Sequence, residues 1–396
     1  MAAIKILSVD DEAPLELLMR QYFRRKIRSG EYEFFFAHNG LEALAILYNN
    51  PDIEIILSDI NMPEMDGLTL LAKINEMRNP ALRVIMVSAY GDMKNIRQAM
   101  NNGAFDFATK PIDMEDLALT IEKAIEQINF VHETQKEHNQ LESLKNELNT
   151  AREIQQYILP RIFPPFPEDA DRVDIAASME AAKDIGGDFY DFFRLDEDRI
   201  ALVVADVCGK GIPAALFMAV SRTMIRAKGM QGTGAAECLR ESNRLLATYS
   251  VDSMFVTVFY AIYNMKTGEV TYCNAGHNAP YIVKGQRSKV EGERVQKVVS
   301  EVNTVVGAFE NIDYKEFKTQ LEPGDTLMIY TDGVNEAVNE KGEEYGYERL
   351  ENVLSTLQDK SCLEVIDTLK ESLAEFTGEA EQSDDITMLS VRRIDN

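Results

Sequence analysis

The sequence predicts a multidomain protein in which an α/β domain with a doubly wound parallel sheet is joined by one long helix to an α+β sandwich. Three observations support this prediction. Strand and helix patterns alternate over the first 121 residues, residues 122–159 contain no glycine or proline, and short alternating strands with glycine-rich turns dominate the remainder. Strict alternation is typical of a parallel sheet, whereas many short strands with segregated helices are typical of a layered α+β fold.

Length and charge limit the possible functions. A chain of 396 residues is long enough for two or three domains. The 66 acidic and 41 basic residues give a formal net charge of −25, which argues against binding to nucleic acid or to an anionic membrane. The sequence shows no signal peptide or long apolar run, and its four cysteines are widely spaced. We therefore expect a cytoplasmic protein with free thiols.

The first domain, residues 1–121, shows five apolar strand patterns separated by helical patterns. The predicted strands are 4–9, 32–37, 53–58, 83–87 and 105–108, and the predicted helices are 14–28, 40–49, 68–77, 93–101 and a last one from 114 onward. In a doubly wound sheet, ligands bind at the carboxyl ends of the strands. The residues at those ends are therefore the candidates for function.

Five polar residues lie at or near those strand ends. Asp10 and Asp11 follow the first strand, Asp59 the third, Ser88 the fourth and Lys110 the fifth. Three carboxylates at one rim repel each other unless a cation joins them, and oxygen ligands suit Mg²⁺. One of the carboxylates would then be a plausible phosphoryl acceptor. Lys110 would pair with the phosphoryl oxygens and Ser88 would donate a hydrogen bond to them.

The motifs that contain these residues resemble those of bacterial two-component receiver domains over nearly the whole domain. They are Asp10-Asp11, 59–67 (DINMPEMDG), 87–89 (VSA) and Lys110-Pro111. The resemblance implies that Asp59 is the phosphoacceptor and that a histidine kinase is the partner that phosphorylates it. It also implies a cis Lys110-Pro111 bond and a switch aromatic at Phe107.

The same resemblance implies a set of magnesium ligands. Asp11, Asp59 and the backbone carbonyl of Asn61 would bind Mg²⁺, with Asp10 beside them.

Residues 122–160 are predicted to form a helical linker that ends at a cluster of prolines. Two apolar seams in it fit a heptad repeat: Ile121, Ile125 and Ile128, then Leu141, Leu144, Leu148, Ala151 and Ile158. Continuing the first register brings His132, Gln135 and Asn139 into the seam, so the middle is polar and out of phase. Two interpretations remain open: a solvated spacer helix, or a coiled coil that makes the protein a parallel homodimer and passes a signal between the domains.

The second domain, residues 161–396, shows many short strands and four helices. The predicted strands are 173–179, 188–194, 200–207, 255–264, 269–273, 281–284, 325–331 and 386–392, and the predicted helices are 213–228, 235–250, 347–358 and 363–376. This pattern predicts an α+β sandwich.

Acidic residues again lie at strand ends and turns of this domain. They are Asp188, Asp206, Asp332, Asp384 and Asp385. A group of carboxylates without histidine or cysteine specifies hard divalent cations. Two such cations can activate water and neutralise a phosphoryl group during transfer, so hydrolysis of a phosphomonoester is the expected reaction.

The motifs of this domain resemble those of the PP2C (PPM) superfamily of metal-dependent serine/threonine phosphatases, in its branch of stress and sporulation regulators. The resemblance runs from about residue 151 to the end, and its motifs are 184–191 (DIGGDFYD), 206–218 (DVCGKGIPAALFM), 274–278 (NAGHN), 331–336 (TDGVNE) and 382–387 (QSDDIT). It implies that Asp206 bridges two Mn²⁺ or Mg²⁺ ions with help from the Val207 carbonyl.

The remaining carboxylates complete the implied metal site. Asp332 and Asp384 would bind one ion and Asp188 the other, with Asp385 close by. The general acid stays unassigned between two residues. Lys210 stands where this branch often has histidine, and His277 is the alternative.

Both resemblances together imply a response regulator whose output is dephosphorylation of a phosphoserine or phosphothreonine protein, controlled through Asp59. The resemblance suggests an anti-sigma-factor antagonist as substrate. Two alternatives remain: a catalytically weak phosphatase-like adaptor that binds a sigma-factor regulator, and a hydrolase of small phosphoesters.

Overall fold

The structure is a computed structural model that describes residues 3–89, 92–249, 254–286, 294–301 and 303–394. The chain forms two compact units, Met1–Leu144 and Lys145–Asn396. Ser250, the predicted end of one helix, lies outside the described residues. Within those ranges, no helix has the length and apolar character needed to cross a membrane.

The first unit contains a five-stranded parallel sheet flanked by helices. Its strands are β1 (Ile4–Val9), β2 (Tyr32–Ala37), β3 (Ile55–Asp59), β4 (Arg83–Ala89) and β5 (Asp106–Lys110). Its helices are α1 (Ala13–Tyr22), α2 (Arg24–Arg28), α3 (Gly40–Asn49), α4 (Gly67–Glu76), α5 (Met93–Asn101) and α6 (Met114–Ile158), which continues into the second unit. The strand order β2-β1-β3-β4-β5 confirms the doubly wound sheet and locates its switch point between β1 and β3.

The predicted helix 14–28 is in fact two helices that meet at Phe23. The backbone of Phe23 leaves the helical region at φ −86° and ψ 12°. Its ring is 3% exposed and stacks on Phe34 with ring centroids 5.5 Å apart. Burial of this aromatic ring against β2 accounts for the break, because it outweighs the local helix propensity.

The long helix α6 confirms the predicted continuity between the last helix of the first domain and the linker. It runs for 45 residues without interruption, which corresponds to about 68 Å. It ends at Ile158, shortly before Pro160, in agreement with the proline signal.

The two apolar seams of α6 have different environments. Ile121 and Ile128 are fully buried in the core of the first unit, and Ile125 packs against the same core. Leu141 and Leu144, by contrast, are 59% and 50% exposed. The first seam is therefore a core face of the first unit, which corrects that part of the coiled-coil prediction. A coiled coil has only the second seam available.

Among its described residues, the second unit contains two five-stranded antiparallel sheets, a short 3-10 helix (Pro167–Asp169) and four α-helices besides the end of α6. Its strands are β6 (Val173–Glu180), β7 (Phe189–Arg194), β8 (Arg199–Val207), β9 (Val256–Asn264), β10 (Glu269–Ala275), β11 (Tyr281–Val283), β12 (Val295–Lys297), β13 (Phe317–Gln320), β14 (Thr326–Tyr330) and β15 (Ile386–Arg393). Its helices are α7 (Ile212–Gly229), α8 (Ala235–Tyr249), α9 (Gly346–Leu354) and α10 (Cys362–Thr377). The sheet orders are β13-β10-β9-β8-β7 and β12-β11-β14-β15-β6.

The side chains of β14 show how the layers are built. Leu327 and Ile329 point into the core between the two sheets, whereas Met328 and Tyr330 join a second core formed with α9 and α10. This alternation with period two buries both faces of the strand. The helices α7 and α8 pack against the other sheet, α7 on β7 and β8 and α8 on β9 and β10. The sandwich prediction is confirmed.

Two strands, β12 and β13, are absent from the sequence prediction. Each lies at the edge of its sheet, and each consists of partly buried and exposed residues with none fully buried. An edge strand has one partner and little apolar surface to bury, so its sequence carries a weak pattern.

Candidate functional sites

The carboxyl ends of β1 and β3 bring three acidic side chains together at the switch point of the parallel sheet. Oxygen atoms of Asp10, Asp11 and Asp59 all lie within 4.8 Å of one another. Asp10 and Asp59 are each 6% exposed, whereas Asp11 is exposed. Burial raises the pKa of Asp10, an effect that the neighbouring Lys110 opposes. An all-oxygen group of this kind fits Mg²⁺.

Lys110 provides the positive charge of this site. Its ammonium lies 2.6 Å from Asp59 Oδ2 and 2.9 Å from Asp10 Oδ2. Burial works against the charged form, but the hydrogen bonds to both carboxylates raise the pKa of Lys110 above its usual range. The other oxygen of Asp59 accepts a hydrogen bond from the backbone N–H of Asn61 at 3.2 Å. The sequence-predicted residues are thus gathered around Asp59.

The hydroxyl of Ser88 completes this group. Ser88 is fully buried, and its Oγ has no hydrogen-bond partner among the described residues. A buried hydroxyl without a hydrogen-bond partner costs free energy of folding. Ser88 is therefore suited to donate a hydrogen bond to an acceptor that binds at this site. Lys110-Pro111 is cis, as expected. Gly67 is required at its position because a Cβ there would lie 2.0 Å from the carbonyl oxygen of Asp59.

The second unit assembles its carboxylates from both sheets of the sandwich. Asp206 lies in β8, and Asp188 directly precedes β7 of the same sheet. Asp332 follows β14, and Asp384 and Asp385 precede β15 of the other sheet. Among the described residues, no three of these five carboxylates have oxygen atoms that all lie within 4.8 Å of one another, as the three acids of the first unit do. They are nevertheless near enough to interact electrostatically.

Burial and mutual repulsion raise the pKa values of three of these carboxylates, Asp188, Asp206 and Asp332. Burial, then the charges of Asp206 and Asp385, raise the pKa of Asp188 well above its usual range. The same two causes, with Asp332 as the main neighbouring charge, raise the pKa of Asp206 to about 6. Burial and Asp384 raise the pKa of Asp332. Carboxylates held together against their repulsion fit divalent cations, which would remove that cost.

Asp385 and Thr331 hold this arrangement in place. The carboxylate of Asp385 accepts hydrogen bonds from the backbone N–H groups of Ala182 at 2.8 Å and Gly187 at 2.6 Å. Thr331 donates its hydroxyl to Asp188 Oδ2 at 2.7 Å and accepts the N–H of Thr387 at 3.0 Å. Asp385 thereby fixes the segment before β7, and Thr331 connects the two sheets at Asp188.

The two candidates for the general acid differ in their exposure to solvent. Lys210 is part-exposed and lies 3.0 Å from Asp384 Oδ2. His277 is 7% exposed, and its Nδ1 lies 2.9 Å from the Thr257 hydroxyl. Burial lowers the pKa of His277 to about 3. An imidazole held neutral in this way is a poor proton donor, which favours a structural role for His277.

Three residues of this site escaped the sequence reasoning. Thr331 belongs to the 331–336 motif, but its contact with Asp188 depends on the meeting of two sheets. Arg152 and Gln155 were counted only as part of the linker. Both contact the segment before β7, some thirty residues away in sequence. No local pattern reveals such contacts.

The chain matches two protein-family models. Residues 6–122 match the response regulator receiver domain, and residues 196–394 match the family described as stage II sporulation protein E. Among solved structures, the SiaA-PP2C domain of Pseudomonas aeruginosa aligns at 24% identity over 64% of this chain and 98% of that chain, with a TM-score of 0.53. This likeness shows the fold of the second unit.

Two relatives align with more than half of this chain. Protein IcfG of Synechocystis sp. is 30% identical over 274 residues, which are 62% of this chain and 41% of IcfG. Phosphoserine phosphatase RsbU of Bacillus subtilis is 32% identical over 254 residues, which are 64% of this chain and 71% of RsbU. The chain therefore spans less than half of the first relative and about seven tenths of the second.

The pH dependence of the second unit tests the structural role of His277. Its pKa falls from 6.5 to about 3 on burial, so the unfolded chain takes up the proton first. His277 therefore lowers the stability as the pH falls below about 6.5, and has no such effect above it. In an NMR titration of ¹⁵N-labelled histidine, we expect a neutral His277 at pH 5.5. Protonation of His277 near pH 6.5 would contradict this role.

Proposed function

This chain belongs to the stage II sporulation protein E family, and we propose that it is a response regulator whose output is a metal-dependent protein phosphatase. The observation that carries the proposal is the group of five carboxylates that the two sheets of the second unit bring together. The raised pKa values of Asp188, Asp206 and Asp332 support a site built to hold positive charge. The receiver domain has a separate acidic group, at which we propose that the regulatory signal is received.

The carboxylates of the second unit would hold two Mn²⁺ or Mg²⁺ ions. We propose that Asp206 and the Val207 carbonyl would contribute to holding both ions. Asp332 and Asp384 would serve one ion and Asp188 the other, with Asp385 beside them. Bound cations of this kind neutralise the phosphoryl group while water attacks it.

The remaining residues of this site orient the ligands. Thr331 keeps one oxygen of Asp188 in place through its hydroxyl. Asp385 orients the backbone at Gly187, immediately before Asp188. Lys210 partly offsets the charge of Asp384. Catalysis here rests on electrostatic preorganisation by the sheet ends.

The receiver would control this output through phosphorylation of Asp59 by a histidine kinase. The Asp59 carboxylate would be the nucleophile, and Mg²⁺ would be held by Asp11, Asp59 and the Asn61 carbonyl, with Asp10 beside them. Lys110 is already in contact with Asp59, so its ammonium can stabilise charge on the phosphoryl oxygens. Buried Ser88 is available as a hydrogen-bond donor.

A phosphoserine or phosphothreonine protein is the substrate that we propose. The relative from Bacillus subtilis is named a phosphoserine phosphatase, which supports this class. The family resemblance suggests an anti-sigma-factor antagonist. Such a substrate would present its phosphate on an exposed segment, because the carboxylates lie at strand ends and in turns.

Substitution of Asp332 tests the phosphatase. We expect Asp332→Ala to lower Mn²⁺-dependent phosphate release from a phosphoserine protein by about a hundredfold or more, because it removes a metal ligand. The same loss is expected when excess chelator is added to the wild-type protein. Asp313→Ala is the matched control, since that carboxylate is 93% exposed and pairs with Arg240. Full turnover by Asp332→Ala would refute the metal site, and a wild type that binds phosphoprotein without turnover would favour the adaptor.

Substitution of Asp59 tests the input. We expect Asp59→Asn to abolish acid-labile phosphorylation by a small phosphodonor, because the amide is not a nucleophile for this reaction. The phosphatase rate should also stop responding to beryllofluoride. Asp52→Asn is the control, because this receiver carboxylate is exposed and pairs only with Lys5 among the described residues. Retention of label by Asp59→Asn would show that another residue is the phosphoacceptor.

The second seam of α6 supports a homodimer through the linker. Leu141 and Leu144 are exposed although they are large and apolar, and Leu148 continues their heptad. By light scattering we expect a dimer, and we expect a Leu141→Glu, Leu144→Glu variant to be monomeric. Asn146→Glu adds charge to an exposed position outside the seam and should remain dimeric. A monomeric wild type in both phosphorylation states would exclude this role.

A further inference from the structure

The last turns of α6 hold the segment that leads into β7. The side-chain amide of Gln155 makes two hydrogen bonds, both with the backbone of Gly186. Its Nε2 donates to the Gly186 carbonyl at 2.5 Å, and its Oε1 accepts the Gly186 N–H at 3.1 Å. One turn earlier, Arg152 donates from Nε to the Asp184 carbonyl at 2.6 Å and from a terminal nitrogen to the Lys183 carbonyl at 3.1 Å. The helix end thus binds the backbone of three residues of one loop, Lys183, Asp184 and Gly186.

Gln155 is an unusual residue for the polar end of a linker helix. It is 7% exposed, whereas its neighbour Gln156 is exposed. A buried amide is stabilising only when its donor and acceptor are both satisfied, and Gly186 satisfies both. Loss of either group would leave a buried backbone group of Gly186 without its partner. The geometry is therefore specific for glutamine.

The loop has little freedom on its other side. A Cβ at Gly186 would lie 2.5 Å from Asp385 Oδ2, so the backbone is packed against that carboxylate. Asp385 Oδ2 also accepts the N–H of Gly187. A Cβ at Gly187 would lie 3.0 Å from the carbonyl oxygen of Val207. The loop is consequently held between the end of α6 and the carboxylate group.

We propose that Gln155 is a positioning residue that sets the place of Asp188 through the backbone of Gly186. The proposal rests on the proposed metal-dependent phosphatase, since it assigns the ligand that the contact controls. Gly186 and Asp188 are separated by one residue, and that residue packs against Val207, whose carbonyl is a proposed ligand. Movement of the end of α6 therefore changes the distance between Asp188 and Asp206. A change in this distance raises or lowers the affinity of the site for its second cation.

The test compares two identical substitutions at adjacent positions. Gln155→Met keeps the buried volume but removes both hydrogen bonds, whereas Gln156→Met changes an exposed residue outside the contact. For Gln155→Met we expect the Mn²⁺ concentration that gives half-maximal phosphate release to rise about tenfold, with kcat at saturating Mn²⁺ close to that of the wild type. Gln156→Met should match the wild type in both parameters. A merely structural Gln155 would lower kcat or stability without moving the metal dependence.

Hydrogen–deuterium exchange supplies a readout that does not depend on activity. In Gln155→Met, the peptide that covers residues 182–189 should lose protection, while peptides from β8 and β14 should not. If this variant fails to fold, Arg152→Gln provides the second test, because Arg152 is 42% exposed and contacts the same loop. Unchanged metal dependence and unchanged exchange in the folded variants would overturn the proposal. Absence of Mn²⁺-dependent turnover in the wild type would instead overturn the proposed phosphatase, while the exchange result would still decide whether Gln155 holds the loop.

Discussion

Repulsion between carboxylates is the constraint on which both sites depend. A folded chain that gathers acidic groups must hold them with other bonds, because they would otherwise separate or take up protons. In the first unit, the ammonium of Lys110 contacts Asp10 and Asp59 and offsets part of the repulsion. In the second unit, Lys210 contacts only Asp384 among the five acids, and the pKa of Asp206 rises to about 6. The second site therefore has the greater demand for added cations.

The backbone and one threonine provide the restraint that the second site needs. Asp385 is a member of the acidic group, yet both of its oxygens accept backbone N–H groups of the segment before β7. Thr331 makes the corresponding contact from the other sheet by donating to Asp188. These bonds link the acidic residues to two sheets that share one core, so core packing stabilises the spacing of the charges.

The sequence alone was sufficient to locate a functional residue where that residue lies in or beside a recognisable strand pattern. Asp10, Asp59 and Asp206 could be located because a buried strand ends beside each of them or contains it. The prediction failed where tertiary contacts decide the outcome. Burial of Phe23 divides one helix, and the edge strands β12 and β13 bury too little to show a pattern. The spacing of Ile121 and Ile128 is compatible both with a heptad seam and with a helix face that packs on the receiver core. Both environments select apolar residues at the same spacing.

The anchoring of α6 explains why a linker without glycine or proline is suited to regulation. Toward its start, Ile121 and Ile128 are fixed in the core of the receiver, and at its end Gln155 is fixed to Gly186. A continuous helix is stiff, since each turn is hydrogen-bonded to the next. Under the proposed function, the backbone of α6 would transmit a displacement from its receiver end to Gly186. If the contact at Gly186 sets Asp188, then under the proposed function a change at Asp59 would alter metal affinity through α6. The helix α7 lies beside the same loop, because a Cβ at Gly187 would lie 3.4 Å from Ala214 Cβ.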